Sequence, residues 1–482
     1  MADRPVTPEA RPAETTLGAL RAAGHEPRST RGEMRANLTR RLASGSGGQT
    51  PSAPLFAGIV GYDVTVIPEI ENAVLSGHHM VFLGERGQGK TRLIRSLVEL
   101  LDPWIPVVRG CEINDDPFAP ICARCQRVLA ERGQDLEVDW LGRDSRYGEK
   151  LATPDVAVAD LIGEIDPVKI AEGRYMSDEE AIHFGLIPRT NRGIFAINEL
   201  PDLTEKVQVG LFNLMEERDI QIKGHKVRLP LDVVVVATAN PEDYTSRGRI
   251  VTPLKDRFDA EIRTHYPLTL DHELQIASGE VRPEARDGLP VRLPDYLSEI
   301  VARITMEARR APEVSQASGV SVRVTINNLE TLISNAEKRA LRCREQEIVP
   351  RMTDLPALTA STRGKLEFEY GMETGGELQV VERIVARAVK AAFDARSAGI
   401  DAGPIVKYIG EGWGVAVSDT MPASEYLVGI GSIPGMRAAL DGLGAFESPG
   451  LMARAAEFLL EGLHLSEQLN RDREGGRTTY SA

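Results

Sequence analysis

The run Gly84-Glu85-Arg86-Gly87-Gln88-Gly89-Lys90-Thr91 fits the pattern G-x-x-x-x-G-K-[ST] without a mismatch. That spacing suits phosphate chemistry. Glycines let backbone N–H groups curl around an anion, and a helix that follows adds the positive end of its dipole. Lys90 is then placed to reach β- and γ-phosphates, and the Thr91 hydroxyl to ligate Mg²⁺. Two later segments end in matching polar groups. Ile194-Phe195-Ala196-Ile197 runs into Asn198-Glu199, which makes Glu199 a candidate to polarise an attacking water. Val233–Ala237 runs into Thr238-Ala239-Asn240-Pro241, so Asn240 is placed to hold that water or the γ-phosphate. The plainer alternatives are a Glu that caps the next helix and an Asn that starts a turn.

Cations follow. Arg257, in Leu254-Lys255-Asp256-Arg257-Phe258-Asp259, is a candidate finger for the γ-phosphate of a neighbouring subunit, with Arg247 and Arg249 as rivals. A surface ion pair with Asp256 or Asp259 is its plain alternative. Arg323 follows Ser321-Val322 at the start of a helical stretch, where it either reaches back to the phosphates or faces water.

These residues need a frame that brings them together. Met80–Leu83 reads as a strand leading into the glycine-rich loop, and Thr91–Leu101 as the helix leading out. Met80–Leu83, Ile105–Val108, Gly193–Ile197 and Asp232–Thr238 alternate with helical patterns, which implies a parallel sheet covered on both faces. Asp219–Pro230, with Gly224 at its centre, reads as a β-hairpin. From Leu268 to Val349 the pattern is helical, clearest over Ile326–Leu341. Lys365–Tyr370 alternates as a half-buried strand should, and Glu377–Ala398 and Gly450–Asp472 read as helices. The expected organisation is a flexible region over 1–54, a nucleotide-binding core over 55–267, a helical lid over 268–349 and a mostly helical extension over 350–482. Within the first, Thr30-Arg31-Gly32-Glu33 suits a capping box opening a helix through Leu42, and Ser44–Pro54 a linker.

Composition narrows the classes. Of 482 residues, 42% are hydrophobic, enough for large cores, and the net charge of −14 argues against a polyanion binder. Nucleic acid is therefore not an expected partner. No apolar run reaches membrane-helix length, and neither a secretory signal nor a disulfide framework is evident, so a cytoplasmic protein is expected. Cys111 and Cys122-Ala123-Arg124-Cys125 have spacing that suits zinc, but three thiolates need a fourth ligand. No nearby His supplies one, so no metal is assigned there. His78-His79 reads as an exposed strand start, and Asp115-Asp116 and Asp178-Glu179-Glu180 as solvated faces.

In this order the motifs resemble the AAA+ ATPases, specifically the branch of the magnesium chelatase I subunit and the MoxR-type ATPases. The resemblance rests on Gly58-Ile59-Val60-Gly61, Gly84–Thr91, Gly193–Glu199, Asn240-Pro241-Glu242, Leu254–Phe258 and Ser321–Arg323, and spans roughly residues 55–345. It implies an ATP- and Mg²⁺-dependent ATPase with an α/β P-loop core, a helix-2 insert over Asp160–Asn191 and a hairpin before the sensor strand. Ile59 and Val60 would line the adenine pocket. Gly84 to Thr91 with Arg92, together with Asn198 and Arg323, would contact nucleotide, with Thr91 on the metal. The resemblance further implies a homo-oligomeric ring, usually hexameric, and a separate partner with a von Willebrand A domain.

One position departs from the family. Its metal-side acid is Asn198 here, which should weaken orientation of the metal and make hydrolysis slow or partner-stimulated. Three other functions stay open: a true magnesium chelatase subunit, an enhancer-binding transcriptional activator and an ATP-gated scaffold. Against the activator, the Gly-Ala-Phe-Thr-Gly-Ala loop is absent and Gly450–Asp472 is not a basic recognition helix.

Overall fold

The computed structural model describes residues 10–45, 55–166, 168, 171, 179–217, 219–222, 225–241, 249–281, 288–315, 318–369, 376–418, 420–443, 448–474 and 476–481. The chain divides into two units, Met1–His265 and Tyr266–Ala482.

In the first unit, α1 (Leu17–Ala22), α2 (Thr30–Gly45) and α3 (Val66–Ser76) precede β1 (Met80–Leu83) and α4 (Lys90–Ser96). Then come β2 (Trp104–Val108), α5 (Ala123–Arg132), β3 (Val138–Gly142), β4 (Tyr147–Leu151), β5 (Gly163–Ile165), β6 (Ile182–Phe184) and β7 (Gly193–Asn198). The hairpin strands β8 (Asp219–Ile222) and β9 (His225–Arg228) lead to β10 (Val233–Ala239) and β11 (Ala260–Arg263). The main sheet has the order β11-β1-β10-β7-β4, and each of its pairings is parallel.

A period of two sends alternate residues to opposite faces. Met80, Phe82, Ile194, Ala196, Val234 and Val236 enter one apolar core; Val81, Phe195, Ile197, Val233, Val235 and Ala237 enter the other. All seven residues of β10 are buried, as a central strand covered on both faces requires.

The expected sheet needs one exchange of strands. Ile105–Val108 lies in β2, but β2 pairs antiparallel with β3 in a separate ribbon. The place beside β7 goes to β4, whose Tyr-Gly-Glu-Lys-Leu sequence carries little apolar signal.

Residues expected to be flexible also fold. Leu17 and Leu20 of α1 and Met34 and Leu38 of α2 are buried. The Thr30–Glu33 capping box does not form. Ser29 Oγ instead accepts the Gly32 N–H at 3.2 Å, and Thr30 bonds to Asp232. Glu33 is drawn off by a buried bidentate pair with Arg146, at 2.7 and 2.6 Å. Both side chains are nearly inaccessible, so removing one partner would strand a charge at a cost of about 3–5 kcal/mol. His79, expected at an exposed strand start, is buried: its Nδ1 accepts the Val235 N–H at 3.0 Å.

The second unit holds the helices Leu270–Glu280, Asp295–Arg310, Arg323–Cys343, Gly376–Asp394 and Pro449–Leu465. One apolar core runs from Ala277 to Tyr480, so residues on both sides of position 350 share it. The strands β12 (Val415–Ser418), β13 (Asn470–Glu474) and β14 (Arg477–Ser481) form an antiparallel sheet in the order β12-β14-β13. The expected helix over Gly450–Asp472 therefore stops at Leu465. Glu467 turns the chain at φ 61°, and β13 begins at Asn470. From Lys365 to Glu369, alternation yields a single bridge, Phe368 with Val314, and Tyr370 lies outside the described residues. Glu273, fully buried, accepts from Arg309 at 2.8 Å and from the Thr325 hydroxyl at 2.6 Å. That clamp fixes the first turn of the helix that Arg323 opens.

Candidate nucleotide site

The glycine-rich loop leaves β1 at Gly84, whose N–H donates to the Ala239 carbonyl at 3.2 Å. A Cβ at Gly84 would lie 2.0 Å from Thr264 Oγ1 and 2.2 Å from Gln88 Oε1, so only glycine fits. Thr264 donates to Gln88 Oε1 at 2.6 Å, which commits that side chain to the loop's own structure. The Tyr62 hydroxyl lies 2.8 Å from the Gln88 carbonyl and 2.6 Å from that of His265; burial pushes its pKa up to about 12. Gly87 and Gly89 take φ 78° and 77°, a left-handed backbone that favours glycine.

Lys90, nine-tenths buried, turns its ammonium back into the loop. It donates to the carbonyls of Gly84 and Glu85, the latter at 2.8 Å, and to Asn240 Oδ1 at 2.9 Å. A buried ammonium held near carbonyl and amide oxygens, on a loop whose Gly87 and Gly89 take the left-handed backbone, fits a phosphate anion. Thr91 is half-buried at the head of α4, while Arg86 and Arg92 are exposed. Ile59 and Val60 are half-buried, and Ile59 packs on the core beneath α3 and β1. Arg92 crosses Gly58, where a Cβ would lie 2.6 Å from its Nη2.

Asn198 ends β7 and Glu199 follows it, beside the end of β10. Glu199 takes φ 58°, uncommon for a residue other than glycine, and its N–H donates to Thr238 Oγ1 at 2.9 Å. Such backbone strain, of about 1–3 kcal/mol, clusters at functional sites. Among the described residues the Glu199 carboxylate has no hydrogen-bond or ion-pair partner.

Asn198 is not far from an acid. Its Nδ2 donates at 2.6 Å to Glu149 Oε1, a carboxylate on the adjacent β4. Arg95 of α4 grips Glu149 at 2.9 and 3.1 Å, and the Tyr147 hydroxyl donates at 3.1 Å. Burial pushes Glu149 toward protonation, but hydrogen bonds from Arg95 and Asn198 outweigh it and hold its pKa below the usual carboxylate range. Sequence reasoning missed Glu149, because only the pairing of β4 with β7 brings it to Asn198.

Arg257 forms its ion pair with Glu216 at 2.8 Å rather than with Asp256 or Asp259, and its guanidinium lies 5.8 Å from the Phe212 ring centroid. Both partners belong to the helix Glu205–Glu217. Arg249 is exposed; Arg247 and Glu242 lie outside the described residues, as do Gly224 and Asp178. Glu179, expected on a solvated face, accepts the Ala123 N–H at 2.9 Å. Arg323 belongs to the second unit. Its side chain is exposed, and its N–H donates to Ser321 Oγ at 3.1 Å. No helix among the described residues is long and apolar enough to cross a membrane.

Comparison with known proteins agrees with this frame. The family model described as the sigma-54 interaction domain matches residues 170–258. The magnesium-chelatase subunit ChlI of Nostoc sp. is 26% identical over 281 residues, covering 56% of this chain and 70% of that protein. A ChlI homolog from Methanocaldococcus jannaschii is 30% identical over 210 residues, 42% of this chain and 52% of its own length. The Heliobacterium mobile magnesium-chelatase 67 kDa subunit is 29% identical over 255 residues, 52% of this chain and only 35% of its own. Among solved structures, the complex between subunits BchI and BchD of magnesium chelatase aligns with a TM-score of 0.32 and 19% identity. It covers 68% of this chain and 98% of that one.

Proposed function

We propose that this chain, an AAA+ P-loop protein resembling the magnesium chelatase I subunit, hydrolyses ATP at the ends of β1, β7 and β10 and works as a ring motor that remodels a partner protein. The observation that carries this reading is the contact of Lys90 Nζ with Asn240 Oδ1 at 2.9 Å, at the end of the strand that pairs with the one leading into Glu199. Lys90 binds the β- and γ-phosphates, Glu199 takes the proton of the attacking water, and Asn240 senses the γ-phosphate. Mg²⁺, when bound, neutralises phosphate charge; the Thr91 hydroxyl and the Asn198–Glu149 pair fit its protein side.

Glu149, itself paired with Arg95, places a carboxylate next to Asn198. Glu149→Gln is expected to weaken Mg²⁺ affinity by about 10–100-fold, as loss of an outer-shell partner does. The readout is the Mg²⁺ dependence of fluorescent-ATP binding. Adding Asn198→Asp to that variant returns the charge to the neighbouring strand and restores affinity. Unchanged Mg²⁺ affinity in Glu149→Gln would remove Glu149 from the site.

The motor reading includes a homo-oligomeric ring, hexameric as in the resembled family, with Arg257 acting on the neighbouring subunit and Arg323 coupling the helical unit to nucleotide. Mixing Arg257→Ala with Glu199→Gln subunits, each inactive alone, should recover ATPase activity, because a Glu199→Gln subunit lends its intact Arg257 to the site of an Arg257→Ala neighbour. No recovery in such mixed rings excludes a trans role. The partner in this reading is a protein with a von Willebrand A domain, and a pull-down with such a partner, dependent on ATP, tests it.

The match to the sigma-54 interaction domain favours a second reading, a transcriptional activator. The absence of a Gly-Ala-Phe-Thr-Gly-Ala loop weighs against it. ATP-dependent binding to sigma-54 polymerase, with none to a von Willebrand A protein, would select it.

A further inference from the structure

Outside the nucleotide site, three of the chain's four cysteines converge with one carboxylate. Cys111, Cys122 and Cys125 each offer a sulfur and Asp115 an oxygen, and these four atoms all lie within 4.8 Å of one another. Four ligands held about 2.3 Å from one tetrahedral zinc ion sit about 3.8 Å apart, so small side-chain rotations close the shell. All three cysteines are free thiols rather than disulfide-bonded.

Asp115 argues most strongly for a ligand. It is fully buried, and its Oδ1 makes no hydrogen bond among the described residues, while Oδ2 accepts the Cys122 N–H at 3.0 Å. A buried carboxylate oxygen without a donor is costly, and a cation among the thiols supplies what the protein does not. The backbone is arranged for metal-bound sulfur as well. The Asp115 N–H points to Cys111 Sγ at 3.4 Å, and the Cys125 N–H to Cys122 Sγ at 3.4 Å. Cys122 is the N-cap of α5, so the x-x spacing brings Cys125 round the first turn to the same side.

We propose that Cys111, Asp115, Cys122 and Cys125 bind one structural Zn²⁺ ion that clasps the loop between β2 and α5. Three soft thiolates and one carboxylate suit zinc and are a poor set for Mg²⁺ or Ca²⁺. Four protein ligands leave no open position, so the site is structural rather than catalytic. The fourth ligand is hidden in the sequence because Asp115 sits in an acidic pair that looks like a solvated face.

The clasp also holds the segment that precedes β7. Asn114 Nδ2 donates to the Arg189 carbonyl at 2.7 Å, and Asn191 Nδ2 to that of Ile113 at 3.0 Å. Zinc therefore braces the chain that enters the Glu199 strand.

Metal analysis of the purified full-length chain, with Co²⁺ exchanged for the native ion, tests it. The expected result is one zinc per chain and a cobalt spectrum with thiolate charge-transfer bands and intense tetrahedral d–d bands. Cys111→Ser/Cys125→Ser should reduce the metal content from one equivalent to none. Asp115→Cys completes a four-thiolate shell, keeps the metal and strengthens the charge-transfer band. Should the double variant fail to fold, the cobalt spectrum of the native chain decides alone. No zinc after reconstitution, cobalt bound without thiolate bands, or a full equivalent retained by the double variant would each overturn the proposal.

Discussion

Glu199→Gln is expected to lower ATP hydrolysis by about 10²–10⁴-fold, the range for loss of a positioned general base, while ATP affinity stays near that of the native chain. The split follows from geometry. Glu199 lies beyond β7 in a left-handed backbone and is tied to the sheet through its N–H and Thr238, not through its carboxylate. Replacing that carboxylate by an amide of the same shape removes the proton acceptor and leaves the loop around Lys90 untouched. Steady-state phosphate release and fluorescent-ATP titration measure the two quantities separately. Equal hydrolysis in both proteins would show that Glu199 is only a strand terminus.

Lys90→Ala has the opposite signature. The ammonium is buried against two backbone carbonyls and Asn240, so an anion that replaces those neutral acceptors gains a strong charge-assisted contact. Losing it should weaken ATP binding by about 100-fold or more, in line with the 2–5 kcal/mol typical of truncating one partner of a buried charge pair. Circular dichroism checks that the variant keeps its fold. Native-like affinity in a folded Lys90→Ala protein would refute phosphate binding at this loop.

How much of this was legible in the sequence depended on whether local pattern or tertiary pairing decided the outcome. The loop Gly84–Thr91 and the buried run of β10 were legible because chemistry and period are local properties. The sheet position of β4 was not, since Glu149 and Lys150 mask its apolar alternation and only pairing with β7 defines it. For the same reason β2 read as a sheet member: a five-residue apolar run does not name its partner. Thr30-Arg31-Gly32-Glu33 matched a capping box, yet a buried guanidinium 113 residues away competed for Glu33 and won. Asp115 and His79 read as exposed because polar residues usually are, and each is buried by partners distant or hidden in sequence.

The most direct test of the central claim is steady-state ATP hydrolysis by the purified native chain across a Mg²⁺ titration, with Lys90→Ala and Glu199→Gln run in parallel. The expected result is Mg²⁺-dependent phosphate release by the native chain, abolished in both variants, with ATP still bound by Glu199→Gln. Phosphate release that persists undiminished in Lys90→Ala and Glu199→Gln would contradict the assignment of the strand-end site.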